Sequence, residues 1–184
     1  FTSDGIIQLM FPKPDIENQK RLKSILESHP EIDKVSLHLG SPLANTNNTD
    51  SWFNPEEGED QSHTINVKSI DENYLELFGL ELISGRNITS KDPREYVIVT
   101  EQTVLDFGLG SPEEALGMEL HSNWGQKNKI VGVVKDFHVN SLKYKTTPVS
   151  MSYSEGGFFE MALSVSQAAT DEPQKILNKI EKLN

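Results

Sequence analysis

The chain has 184 residues, 28 acidic against 17 basic for a net charge of −11, with 35% hydrophobic and 24% charged residues, a folded and soluble composition. That balance argues against nucleic acid or an anionic membrane surface as partner, since both need clustered cations, and no run approaches the ~20 apolar residues of a membrane span. The absence of cysteine excludes disulfides, thiolate metal sites and cysteine nucleophiles.

Residues 5–11 form a short apolar run of strand length, closed by Pro12 and Pro14. Asp15 suits a helix N-cap, with Glu17 in the first turn. Leu22, Ile25, Leu26 and His29 then follow at helical spacing until Pro30 stops the element. Val35, Leu37 and Leu39 alternate on one face of a half-buried strand. Residues 44–62 read as a long polar loop, acidic towards its end, with Trp52 and Phe53 in the middle; loops of this length are functional or mobile.

A strand pattern resumes around Ile65 and Val67. Asp71 is placed to cap a short helix holding Tyr74, Leu75 and Phe78. Gly79 ends that helix in the left-handed conformation, with Leu80 folding back on Leu75. The device repeats: residues 96–100 form a strand, Thr100 an N-cap and 104–107 a helix, and Gly108 and Leu109 close it over Val104. Ser111, Pro112 and Glu114 spell a capping box whose turn Gly117 ends. Residues 118–121 and 129–134 read as a hairpin turning at Asn123, Trp124 and Gly125. Gly132, inside the apolar strand, marks a bulge or a close backbone approach. Residues 149–153 and 158–166 are further strands. Thr170 or Asp171 starts a helix with Ile176, Leu177, Ile180 and Leu183 on one stripe.

This order is α+β: strand–helix–strand and strand–helix at the ends, with short mixed elements between. The chain begins at Phe1 and stops at Asn184 directly after an amphipathic pattern. The expectation is that the native polypeptide continues on both sides, with another strand after Asn184.

The middle third carries a resemblance. Gly79-Leu80-Glu81-Leu82-Ile83-Ser84-Gly85-Arg86, Tyr96-Val97-Ile98-Val99-Thr100-Glu101, Ala115-Leu116-Gly117-Met118-Glu119-Leu120 and Ile130-Val131-Gly132-Val133-Val134-Lys135-Asp136-Phe137, with Pro148 downstream, resemble in order and spacing the MacB-like periplasmic core domain of FtsX-like ABC-transporter permeases. Thr100 stands where that family more often has asparagine. The resemblance implies two lobes. Residues 1–43 and 148–184 would form a porter-like βαβ lobe, and 63–147 a small α/β lobe inserted after the 44–62 loop. It further implies a place outside the bacterial inner membrane, between transmembrane helices, in a dimeric full-length permease. The partners implied are a cytoplasmic ABC ATPase and a periplasmic adaptor or membrane-fusion protein. Neither a cofactor nor catalysis is implied, and the cargo stays open. A relative of the same kind could instead be a docking platform that regulates a cell-wall hydrolase or handles lipoproteins.

Asp136 and His138 lie two apart, on one face of an extended chain. With His121 on the facing hairpin strand they could form a metal or acid–base site of a soluble hydrolase; a hydrogen-bonded turn is the favoured reading. Arg86 either binds an anion or satisfies loop carbonyls and an acidic neighbour, the latter favoured, and Gly85 supplies a positive φ. Trp52 and Phe53 either contact a partner or cargo or fold under their own loop, and Trp124 carries the same two readings. No G-x-S-x-G, P-loop, H-E-x-x-H or dinucleotide signature occurs.

Overall fold

The computed structural model describes residues 5–42, 48–137 and 147–166. The helix expected from Thr170 or Asp171, and His138, lie outside the described residues. The chain runs β1 (Ile6–Met10), α1 (Ile16–Glu27), β2 (Ile32–Leu39), β3 (Thr49–Phe53), β4 (His63–Ile70), α2 (Tyr74–Leu77), β5 (Leu82–Gly85), β6 (Tyr96–Thr100), α3 (Glu101–Asp106), β7 (Glu119–Ser122), β8 (Lys127–Val134), β9 (Val149–Ser152) and β10 (Glu160–Val165). It is a mixed α+β fold dominated by sheet.

β10 lies between β1 and β2 and is antiparallel to both, so β1, α1 and β2 make a split βαβ unit. Asp15 caps α1, its Oδ1 accepting from the Asn18 N–H at 3.2 Å. The helix then lays Leu22 and Leu26 against Val35, Leu37, Met161 and Leu163 of the sheet.

The remaining strands close on themselves. β4 pairs with β3, β3 with β7, β7 with β8, β8 with β6, β6 with β9, and β9 returns to β4. Closure gives each of these six strands a partner on both sides. Trp52, Ile65, Val97, Val99, Phe107, Leu120, Ile130 and Val133 pack one core of the ring. β5 continues the edge of β8 where β7 leaves it, facing residues 132–134. Ring and outer sheet meet where β4 runs out of the ring: its last two residues, Ser69 and Ile70, pair with Leu39 and His38 of β2.

Both helix stops form as the spacing predicts. Gly79 has φ +62 and Gly108 φ +61; Leu80 N donates to the Leu75 carbonyl at 2.8 Å and Leu109 N to that of Val104 at 3.0 Å. The capping box is reciprocal, with Ser111 N to Glu114 Oε2 at 2.8 Å and Glu114 N to Ser111 Oγ at 3.3 Å. Two readings change, and one strand, β5, was not expected. The centre of the 44–62 loop is strand β3, followed by a 3₁₀ turn at Glu59–Gln61; Thr-Asp-Ser lacks apolar alternation, and pairing on both edges makes it a strand. Residues 149–152, which sequence order groups with the chain ends, pair inside the ring with β4 and β6. β5 carries no strand pattern of its own.

Candidate functional site

The residues singled out by motif hold backbone geometry. Gly85 has φ +75, and a Cβ there would run into the Val131 carbonyl; at Gly132 it would run into the Arg86 carbonyl. The β6–β8 register also slips between Val97 and Ile98, opposite Ile130 and Gly132, so close approach and bulge both occur at Gly132. Gly117 has φ +83 and donates its N–H to the Ile130 carbonyl at 2.8 Å. Arg86 meets Asp92 with both terminal nitrogens at 2.8 Å and the Asn87 carbonyl at 2.9 Å, its guanidinium 5.9 Å from the Tyr96 ring centre. That hydrogen bonding holds the Asp92 carboxyl down at about 2. The arginine thus serves a loop carbonyl and an acidic neighbour.

Asp136 caps α3. Its Oδ1 accepts from the Gln102 N–H at 2.8 Å, while its own N–H donates to Glu101 Oε2 at 3.1 Å. Thr100 occupies the N-cap position with extended backbone, but its hydroxyl stands 3.1 Å from Thr103 Oγ1 and accepts from Val149 N. His121 lies opposite Lys127, at the start of β8, whereas Asp136 follows the end of that strand. Seven residue rises of ~3.3 Å, roughly 23 Å, separate those two ends. The sequence-level pairing of His121 with Asp136 around one ion is therefore corrected: β8 holds them too far apart. Among the described residues no three His, Asp or Glu side chains converge as a metal site.

The three aromatic candidates separate. Trp52 is 3% exposed inside the ring, its Nε1 donating to Asp50 Oδ2 at 2.8 Å, so it packs under its own segment. Phe53 is half-buried against the His121 ring at 5.6 Å. Trp124 is 88% exposed at the β7–β8 turn. That turn is braced by Asn123 N to the Ser51 carbonyl at 3.0 Å and Ser62 Oγ to Asn123 Oδ1 at 3.1 Å.

A polar joint between ring and outer sheet escaped the sequence reading. Asp71, just past β4 and 2% exposed, accepts four hydrogen bonds. Ser36 Oγ at 2.7 Å and Asn73 N at 3.1 Å reach Oδ1; Leu37 N at 2.8 Å and Lys23 Nζ at 2.7 Å reach Oδ2. One carboxylate thus ties α1, β2 and the exit of β4 together. On the other side of the joint, Lys68 is fully buried and donates to the Ser41 carbonyl at 3.2 Å. Burial lowers its pKa to about 8, against the pull of Glu160. Glu160 of β10 lies opposite His38 of β2 in the ladder. Burial alone would raise its carboxyl; the neighbouring His38 and the N–H groups of Gly40 and Ser41 outweigh burial and lower it. Tyr74 closes this end, its hydroxyl donating to the Gly40 carbonyl at 2.7 Å. Lys68 hides because a lysine in a strand reads as solvated. The buried positions of β4 change phase between Ile65 and Lys68, as the strand passes from ring to joint.

No family model and no curated protein sequence matches the chain. Solved structures do. The periplasmic region of MacB from Actinobacillus actinomycetemcomitans superposes with a TM-score of 0.62 at 16% identity, over 96% of this chain and 84% of that one. The extracellular domain of the noncanonic ABC-type transporter YknZ from Gram-positive bacteria gives 0.61 at 14%, over 96% and 95%. A domain described as that of a permease protein from Porphyromonas gingivalis gives 0.57 at 13%, over 88% and 75%. The chain has the MacB-like fold of the extracytoplasmic domains of ABC-type permeases.

Proposed function

We propose that the chain is the extracytoplasmic domain of an ABC-type permease, a non-catalytic body that couples ATP hydrolysis on the cytoplasmic side to export or force transmission across the envelope. The observation that carries this is the fold itself, shared over 96% of the chain with two such domains. The joint supports it: a ring and a sheet tied by a few charged anchors suit a part that passes movement on. In this reading the partners are an ABC ATPase, reached through the rest of the permease, and a periplasmic adaptor. Trp124, exposed on a braced turn, is the side chain placed to contact adaptor or cargo. It equally favours a second reading, a platform that docks a cell-wall hydrolase or a lipoprotein. Of the hydrolase reading's candidates, Asp136 caps a helix and His121 sits at the far end of β8 from it, while His138 lies outside the described residues.

Topology gives the test. The chain has no cysteine, and Leu105 is 73% exposed on α3. Leu105→Cys in the full-length protein should react with a membrane-impermeant maleimide in cells whose outer barrier is opened and inner membrane intact. Labelling only after lysis of the inner membrane would refute an extracytoplasmic role.

A further inference from the structure

Trp124 stands at the end of the ring away from the outer sheet. β4 meets β2 at Ile70, opposite His38, and His63 at its other end lies seven residue rises of ~3.3 Å, roughly 23 Å, from there. His63 pairs with Trp52, and Trp52 with Ser122 at the foot of the β7–β8 turn. Two stiff pieces of backbone make this tip. In the turn, Gly125 N donates to the Ser122 carbonyl at 2.9 Å and Gln126 N to Ser122 Oγ at 3.0 Å. In the 3₁₀ turn, Gln61 N and Ser62 N return to the carbonyls of Gly58 and Glu59. Ser62 Oγ joins the two pieces, 2.5 Å from the Glu59 carbonyl and 3.1 Å from Asn123 Oδ1. The indole, 88% exposed, is thus held out on a frame, a placement that contact with a partner would offset.

The segments that build the tip carry charge of one sign. Residues 50–63 contain five carboxylates, Asp50, Glu56, Glu57, Glu59 and Asp60, and neither lysine nor arginine; residues 104–126 lack both cations as well. Asp50 is engaged by the Trp52 indole, and Glu57 lies over Gly108. Glu59 and Asp60, on the turn that Ser62 ties to Asn123, are exposed, and among the described residues no hydrogen bond or ion pair engages their carboxylates. The nearest cation along the chain is Lys127, facing His121 across the hairpin. Adjacent carboxylates without a cation between them attract positive charge brought by a partner.

We infer that this tip docks a basic segment of a partner protein, an arginine or lysine lying on the Trp124 ring with its charge towards Glu59 and Asp60. An aromatic face beside carboxylates suits a guanidinium above all: the ring takes its flat face, the carboxylates its N–H edge. An acidic partner surface meets repulsion here. The inference rests on the reading of Trp124 as a contact residue and adds the chemistry of what it contacts. The described chain enters and leaves at the opposite end of the outer sheet, where Val165 N donates to the Gly5 carbonyl and Ser166 N to that of Glu31. In the permease reading, with those ends towards the membrane, the tip points away from the bilayer.

An amidated hexaarginine peptide is the probe, titrated at low salt into the 15N-labelled chain and followed by NMR. The Trp124 indole N–H and the amides of residues 59–62 should shift and saturate. Trp124→Ala should weaken binding about tenfold, and Glu59→Gln with Asp60→Asn roughly five- to tenfold. Glu17→Gln with Asp33→Asn removes the same charge from α1 and β2, and should change binding less than about twofold. All five positions are exposed, so the variants keep the fold. Equal weakening by the two charge pairs, or shifts spread over the whole acidic surface, would mean attraction to net charge and overturn the inference. Unchanged binding in Trp124→Ala, or no saturable shift at the tip, would overturn it too. Binding that needs Trp124 but not Glu59 and Asp60 would overturn the basic partner and leave Trp124 a contact residue. Failure of the permease reading shows separately, in the labelling of Leu105→Cys.

Discussion

Asp71→Ala probes the joint most directly. The substitution removes the shared acceptor of Ser36 Oγ, Leu37 N, Asn73 N and Lys23 Nζ at a position 2% exposed. Lys23, whose side chain is 15% exposed, is left as a mostly buried cation without its partner; breaking such a pair costs about 3–5 kcal/mol. The Leu37 N–H, on the buried edge of β2 that faces Asp71, adds about 1–3 kcal/mol if water does not reach it. Partial collapse and water entry offset some of this, so a net loss of about 4 kcal/mol is expected, a large share of the 5–15 kcal/mol typical of a domain. Ser36→Ala, which removes one donor and leaves the carboxylate three, should cost about 1 kcal/mol. Urea unfolding followed by tryptophan fluorescence gives both values, because Trp52 is buried in the ring and reports its opening. The transition midpoint should fall steeply for Asp71→Ala and slightly for Ser36→Ala at constant slope. Equal, small shifts in the two variants would mean that Asp71 does not anchor the joint.

Lys68 gives a pH signature. Its folded pKa of about 8 lies below the ordinary 10.5, so the folded state disfavours the charged form; the penalty is complete below pH 8 and fades as pH rises towards 10.5. At 1.36 kcal/mol per unit this amounts to about 3 kcal/mol, less what Glu160 loses with its partner. Lys68→Met should therefore be more stable than wild type at pH 7 by about 2 kcal/mol, the gap closing near pH 10.5; thermal melts across that range measure it. The glycines separate two effects of a side chain. Gly117→Ala meets nothing within 4 Å and bears only left-handed strain of about 1 kcal/mol. Gly85→Ala has the same strain plus collision with the Val131 carbonyl and should lose at least about 3 kcal/mol, as a lower melting temperature shows.

What could be read from the sequence was local. The two helix stops at Gly79 and Gly108, the capping box at Ser111 and Glu114, and the turn at Gly125 depend on residues within five positions of one another, and each formed. Gly132 announced itself because an apolar strand has no other use for a missing side chain. The ring could not be read, since its closure depends on β9 reaching β4 and β6 across more than forty residues. β3 was hidden by polar residues that its two neighbours, and not its own pattern, fix in a strand. Asp71 shows the limit most clearly: it sits where a helix cap belongs and does accept from Asn73 N, but its other three bonds come from residues at least 34 positions away. Lys68, His38 and Glu160 come together by the same non-local route.

The outer sheet takes its middle strand from the far end of the chain, Ile6 facing Ser164 in the ladder. During synthesis β1, α1 and β2 leave the ribosome long before β10 exists, and closing so long a loop is entropically slow. The ring lies between them in sequence and contains its own pairings, so it can form while the first forty residues wait. Once folded it delivers β10, directly behind β9, into the gap between β1 and β2. Until then two apolar strands stand with unmatched edges, and that interval is when the nascent chain is most open to mispairing with its neighbours.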